Sequence, residues 1–128
     1  MVSMPEEVRA AIAKTNPVCI ATVSEESVPN IVYVGFLKYL DDRTIVIADN
    51  KFDKTRRNIL ANGKLAVVVL DPDTRKAYQV KGTAEYITEG KRFEEVRNWV
   101  TSKRPDLTPK GAVYVTPEEI YCGAGKIA

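Results

Sequence analysis

The chain has 128 residues, the size of one domain, and its hydrophobic fraction of 45% and charged fraction of 28% exclude wholesale disorder. Lys plus Arg number 19 and Asp plus Glu 17, a net charge of +2 that is too balanced for a dedicated polyanion binder. There is no His and there are only two Cys, Cys19 and Cys122, which excludes Ser-His-Asp and Cys-His catalysis and any Cys/His zinc site.

The N-terminal run Met1-Val2-Ser3-Met4-Pro5-Glu6-Glu7 is acidic where a secretory signal is basic. No apolar stretch approaches the roughly 20 residues of a membrane-spanning helix. A cytoplasmic protein without a membrane segment is therefore expected, its cysteines acting as small structural hydrophobes. Ser3-Met4-Pro5-Glu6 fits a capping box ahead of a helix, with Val8, Ala11 and Ile12 at helical spacing and Asn16-Pro17 as its end. Val18–Val23 reads as a strand that is apolar on both faces. After the polar connection Ser24-Glu25-Glu26-Ser27, a second strand is expected from Asn30 to about Tyr39, with Gly35 marking a bulge or a close backbone approach. Asp41-Asp42-Arg43 turns the chain into a third strand, Thr44–Ala48, so the opening reads as an antiparallel meander.

The periodicity then changes. Lys54–Asn62 reads as a short helix with Asp53 as N-cap and Gly63 as its stop. Leu65–Leu70 is a fourth strand and Ala77–Ile87 a fifth, with Gly82 in its middle. Thr88 opens the longest helix, whose apolar stripe is Phe93, Val96, Trp99 and Val100, and Arg104-Pro105 ends it. Ala112–Val115 and Ile120–Cys122, separated by Pro117, predict one or two closing strands ahead of a flexible tail. Hairpin-length connections leave no room for crossover helices among the first three strands, and no phosphate-loop or dinucleotide fingerprint is present. These elements point to one domain over 1–128: an antiparallel barrel with helices packed outside it.

The chemistry concentrates in Thr44–Leu60, TIVIADNKFDKTRRNIL, a strand, a tight turn and a helix whose first turn holds Lys54 and Thr55. A helix N-terminus offers unpaired N–H groups and partial positive charge, so Lys54 and the Thr55 hydroxyl would complete a phosphate cradle. The plainer reading is a capped surface helix with solvated cations. A conflict also stands: Asp53 as N-cap would set a carboxylate beside the bound dianion, so Asp53 must turn away or another residue must cap.

The sequence resembles the flavin-mononucleotide (FMN)-binding split barrels, relatives of the pyridoxamine-phosphate oxidases, over roughly Pro5 to Cys122. The likeness rests on the order of PVCIATV, PNIVYVGF with LDDRTIVIADN, DKTRRNIL, and YQVKGTAEY followed by an amphipathic helix. The resemblance implies a mainly β fold with α elements, a six-stranded antiparallel split β-barrel with peripheral helices, forming a homodimer with non-covalent FMN at the interface. It implies that Lys54 and Thr55 hold the phosphate, that Val32, Tyr33, Val34, Ala48, Asp49 and Asn50 line the ring, and that Gln79 and Lys81 touch ring or phosphate. The arginine-containing C-terminal motif of the vitamin oxidases has no counterpart in GAGKIA, and the histidine of haem-degrading relatives is missing. Neither of those activities is expected.

Three readings follow. The first is an FMN-dependent oxidoreductase or electron-transfer protein, with an unidentified donor and acceptor and no side chain acting as acid or base. The second is a non-catalytic carrier or sensor of FMN or a deazaflavin on the same fold. The third is a small nucleic-acid-binding barrel, with Lys51, Lys54, Arg56 and Arg57 as its basic patch and Tyr33, Phe36 and Tyr39 as stacking platforms.

Overall fold

The computed structural model describes residues 1–128. Eight strands and three helices follow in the order α1 (Glu6–Lys14), β1 (Val18–Val23), β2 (Pro29–Val34), β3 (Leu37–Asp41), β4 (Thr44–Asp49), α2 (Lys54–Asn62), β5 (Lys64–Leu70), β6 (Ala77–Ile87), α3 (Lys91–Lys103), β7 (Gly111–Cys122) and β8 (Gly125–Lys126). All pairings are antiparallel, in the order β2-β1-β5-β6-β7-β4-β3, with the short β8 on β7. The two ends of that path, β2 and β3, are successive parts of one chain segment, residues 29–41. The segment pairs with β1 through its first half and with β4 through its second. The sheet therefore curls round until its edges are joined by the chain but not by a ladder, which is the split of a split barrel.

This is the expected fold with one strand divided. The stretch Asn30–Tyr39 is interrupted at Gly35-Phe36, so the opening is two hairpins rather than a meander. Gly35 marks a break and not a close approach, since a Cβ built there would meet nothing within 4 Å. The closing strand, by contrast, runs unbroken through Pro117. It does so because the register shifts where Lys81 pairs with Glu119 and Gly82 with Pro117, leaving Glu118 as the extra residue of a bulge.

Strand alternation sorts the side chains. Val18 and Ile20 of β1, Ile45 and Ile47 of β4, Leu65, Val67 and Val69 of β5, Tyr78 and Val80 of β6, and Val113, Val115 and Ile120 of β7 fill the interior. Val8, Ala11 and Ile12 join them from α1, so one face of this helix packs into the same core. On the outer side, Phe93, Val96 and Val100 of α3 pack on Val46, Ala48, Ala112 and Tyr114 of β4 and β7.

The capping box at α1 does not form; Pro5 occupies the cap position without a side-chain hydrogen bond, and Ser3 Oγ instead accepts from Arg43 Nε at 3.3 Å. Thr88 does not open α3, which begins after Gly90, a residue at φ 95°. The tail is not loose either: the Ile120 N–H donates to the Ala128 carbonyl at 2.9 Å and the Ile127 N–H returns to the Ile120 carbonyl at 2.8 Å.

A Cβ at Gly82 would stand 2.4 Å from the Thr116 carbonyl oxygen and 3.0 Å from Val115. Gly82→Ala must therefore push β6 and β7 apart at the bulge, at a cost of about 1–3 kcal/mol. Urea unfolding of the variant should show that loss with an unchanged m-value.

Candidate functional site

The first turn of α2 is built to leave donors free. Asp53 occupies the cap position at φ −134° and ψ −81°, and its side chain makes no capping bond. Its carboxylate instead accepts from Arg57 Nη2 at 3.2 Å, out in solvent. Asp53 has left the capping geometry and pairs its charge with Arg57, which eases the conflict with a bound dianion. The Arg57 N–H donates to the Asp53 carbonyl, while the N–H groups of Lys54, Thr55 and Arg56 have no protein acceptor. At the other end Gly63, at φ 67°, stops the helix as expected, its N–H donating to the Ile59 carbonyl.

Of these three residues, Lys54 and Thr55 line a cleft of about 480 Å³ at the split. One wall is β2 and its continuation, with Val32, Tyr33, Val34, Gly35 and Phe36. The floor and far side come from Ala48, the turn 50–53, Lys54 and Thr55, and Arg104 and Leu107 complete the rim. Thr55 is buried, and its Oγ1 accepts from Asn30 Nδ2 at 2.9 Å, leaving the hydroxyl hydrogen available to a ligand. Asn30 also donates to Thr22 Oγ1 at 3.2 Å, which fixes the amide between β1 and α2. Asn50 Oδ1 is buried without any hydrogen-bond partner. An acceptor in that state calls for a donor from outside the chain.

Of the expected site residues, Val32, Tyr33, Val34, Ala48, Asn50, Lys54 and Thr55 all line this cleft. Asp49 does not. It is fully buried behind the turn, where its carboxylate accepts from Arg56 Nε at 2.6 Å, the Tyr86 hydroxyl and the Phe52 N–H. Gln79 and Lys81 also lie elsewhere. Tyr78 and Val80 point inward, so alternation sends Gln79 and Lys81 to the outer face of the sheet, beside Val68 and Ala66 of β5. Any contact they make with a ligand in the cleft would have to come from a second copy of the chain. Asn30, Phe36, Lys51, Phe52, Arg104 and Leu107 also line the cleft and were not among the expected flavin contacts; Lys51 and Phe36 entered only the nucleic-acid reading, and Arg104 and Leu107 lie outside the segments that carried the signal.

The charges are asymmetric. Arg56 is bound to Asp49 and Arg57 to Asp53, whereas Lys54 and Lys51 make no ion pair. This divides the basic run read as a nucleic-acid patch, and Tyr39 is half-buried with the Arg9 guanidinium 6.0 Å from its ring centre. Burial by itself would raise the Asp49 carboxyl, but the Arg56 guanidinium, the Tyr86 hydroxyl and the Phe52 N–H outweigh it and hold the group below its ordinary value. Burial and then the Asp49 carboxylate push the Tyr86 phenol up to about 12. Cys19 and Cys122 are free thiols, both half-buried and neither lining the cleft.

An antiparallel sheet closed by one bent strand, with a donor-rich helix end at the gap, defines a split-barrel protein. The chain matches the pyridoxamine 5'-phosphate oxidase family over residues 4–122, and it belongs to that family. It is 42% identical over 106 residues to an uncharacterised protein of Methanocaldococcus jannaschii, covering 81% of this chain and 70% of the relative. The fold superposes on HupZ of Group A Streptococcus with a TM-score of 0.85 at 29% identity, over 100% of this chain and 99% of that one. An FMN-binding protein from Syntrophomonas wolfei shares the fold at a TM-score of 0.80 and 23% identity, over 91% of this chain and 84% of the other.

The buried carboxylate makes a pH prediction. Its pKa is lower folded than unfolded, so it contributes stability above the unfolded value of about 4, and that contribution is lost as pH falls through the folded value. Asp49→Asn leaves Arg56 without its partner and should cost about 3 kcal/mol at neutral pH. Thermal unfolding should show the gap between wild type and variant shrinking as pH is lowered from 5 towards 2.

Proposed function

We propose that this protein is a flavoprotein that holds FMN non-covalently in the cleft at the split and exchanges electrons or hydride through it. The observation that carries the reading is the first turn of α2: its first three N–H groups are unbonded, and the unpaired Lys54 and Thr55 with its hydroxyl lie at one end of an otherwise partly apolar cleft. That set suits a phosphate dianion. The rest of the cleft suits a flat ring, since Val32, Val34, Phe36 and Ala48 offer apolar surface and the orphaned Asn50 Oδ1 needs a donor such as a ring N–H. FMN itself supplies the redox chemistry. The chain's part is to bind and orient it: Lys54 and the α2 donors anchor one end, Asn30 fixes the Thr55 hydroxyl, and the β2 wall sets the plane. No side chain is assigned as acid or base.

The same reading includes a homodimer. The interior is filled by the chain's own side chains, so a three-ring ligand lies on the outside and needs a roof. The outer face of β2, β1 and β5 is an apolar surface left open to solvent: Ile31 is 69%, Tyr33 74%, Val68 43% and Leu70 48% exposed. Register sets Tyr33 beside Cys19 and Val68, and Ile31 beside Ala21 and Ala66, so these residues form one contiguous patch. Tyr33 belongs both to the patch and to the cleft wall. A second copy seated on the patch would therefore cover the cleft, and would give Gln79 and Lys81 their only route to the flavin.

Lys54→Ala should weaken FMN about 10- to 150-fold, as expected for a lost charge-assisted hydrogen bond, while riboflavin, which lacks the phosphate, is hardly changed. Fluorescence titration of both ligands reads this directly, and equal effects on the two would remove the phosphate assignment. Sedimentation of the yellow, flavin-loaded protein should give twice the chain mass of 14.2 kDa. A flavin-loaded monomer would refute the shared roof.

A further inference from the structure

The Asp49 carboxylate has four donors, and neither it nor the side chains of Arg56 and Tyr86 line the cleft. Oδ1 accepts from the Phe52 N–H at 2.8 Å and from Arg56 Nη2 at 3.3 Å. Oδ2 accepts from Arg56 Nε at 2.6 Å and from the Tyr86 hydroxyl. Arg56 Nη2 donates in addition to the Phe52 carbonyl. Asp49 is the last residue of β4, Phe52 precedes the helix by two residues, and Arg56 lies in the helix's first turn. One buried carboxylate thus ties the end of a strand to both sides of the turn that carries the free N–H groups.

That arrangement answers a problem peculiar to an anion site. A helix of nine residues is marginal alone, and its first turn frays unless something holds it. The ordinary remedy is a side-chain N-cap, which accepts from the second or third N–H of the helix and so consumes a donor. Here the cap residue Asp53 makes no such bond, and the turn is gripped from outside, at Phe52 and Arg56, with the donors of Lys54, Thr55 and Arg56 left unbonded. Tyr86 fixes the carboxylate from β6, and its ring occupies the space over Gly111, where a Cβ would come within 2.4 Å of it. The grip also keeps the Arg56 guanidinium on Asp49 instead of in the cleft.

We infer that Asp49 and Tyr86 are positioning residues for the anion cradle: through Arg56 and Phe52 they hold the first turn of α2 in place while leaving its N–H groups to the phosphate. This rests on the FMN reading above and deepens it. Lys54 touches the phosphate; Asp49 and Tyr86 act through the backbone that presents it.

Tyr86→Phe is the sharpest test, because it changes no charge, keeps the ring against Gly111 and lies outside the cleft. The readout is the ratio of riboflavin to FMN dissociation constants, measured by flavin fluorescence on wild type, Tyr86→Phe, Asp49→Asn and Lys54→Ala. Merely loosening the fold would weaken both ligands alike and leave the ratio unmoved. Loss of positioning should lower the ratio by about 10-fold in Tyr86→Phe, the scale on which outer partners of a ligand-holding group act. Asp49→Asn should lower it further. Inorganic phosphate titrated onto the apoprotein should shift the amide resonances of Lys54, Thr55 and Arg56 in wild type, and at higher concentrations in Tyr86→Phe. A ratio unchanged in Tyr86→Phe and Asp49→Asn but reduced in Lys54→Ala would overturn the positioning role and leave the FMN reading standing. FMN bound more tightly by Asp49→Asn would also overturn it, by showing that a released Arg56 improves the site. A wild type that does not prefer FMN to riboflavin would overturn both.

Discussion

A sheet this narrow, curled on itself, encloses only enough volume for its own side chains, and everything functional about the molecule follows from that exclusion. Valine and isoleucine from β1, β4, β5, β6 and β7, with the buried face of α1, occupy the interior. A ligand of any size must bind outside that interior, and the interrupted ladder offers a cleft with free donors beside it. The chain makes that interruption with a single segment, residues 29–41, which pairs with β1 before Gly35 and with β4 after Phe36. The cleft lies there because both β2 and β3 have turned towards other partners, and because the connection from β4 delivers a helix N-terminus to the same place.

Charge at that helix end is allotted rather than accumulated. Two arginines and a lysine crowd into Lys54–Arg57, and two aspartates lie within reach. Each arginine is paired with one aspartate, Arg56 with Asp49 in the protein and Arg57 with Asp53 in solvent. The pairs differ in weight. The exposed one, four residues apart on a helix, contributes a few tenths of a kcal/mol at most. Its importance is steric and electrostatic, since it draws the Asp53 carboxylate off the cap position. The buried pair adds hydrogen bonds from Tyr86 and Phe52 and compensates the burial that would otherwise raise the carboxyl. What remains uncompensated is Lys54 and the helix dipole, both facing the cleft, and an anion is the natural complement.

The bounds of α2, its glycine stop and its N-terminal lysine and threonine were legible in the sequence, because an aspartate ahead of a helical run and a glycine after it are local signals, even though Asp53 makes no capping bond. So were the strands, apart from where they divide and from the short β8, which lies in the tail expected to be flexible. The division at Gly35-Phe36 and the continuity through Pro117 depend on what lies across the sheet: Pro117 is tolerated because Gly82 opposite it allows a bulge. The partners of Asp49 were illegible for the same reason. Arg56 is seven residues away and Tyr86 thirty-seven, and nothing in either neighbourhood announces the meeting. Gln79 and Lys81 show the limit differently. Alternation with Tyr78 and Val80 fixes which face they take, but only the order β5-β6-β7 places that face away from the cleft of the same chain.

The exposed face and the cleft are therefore one problem with one physical solution. An apolar surface holding Ile31, Tyr33, Val68 and Leu70 is unfavourable in water, and at about 25 cal/mol for each Å² removed from solvent its burial would favour the proposed association. Tyr33 stands on the border, its ring on the patch and its backbone on the strand that walls the cleft. Covering the patch without covering the cleft would leave Tyr33 half solvated. Filling the cleft with a flat ring extends the apolar surface that a second copy can bury. In the proposed flavin-bound dimer, ligand and partner would remove parts of the same exposed area, so each would raise the affinity for the other by the surface they hide together, a coupling that is reciprocal by thermodynamic necessity.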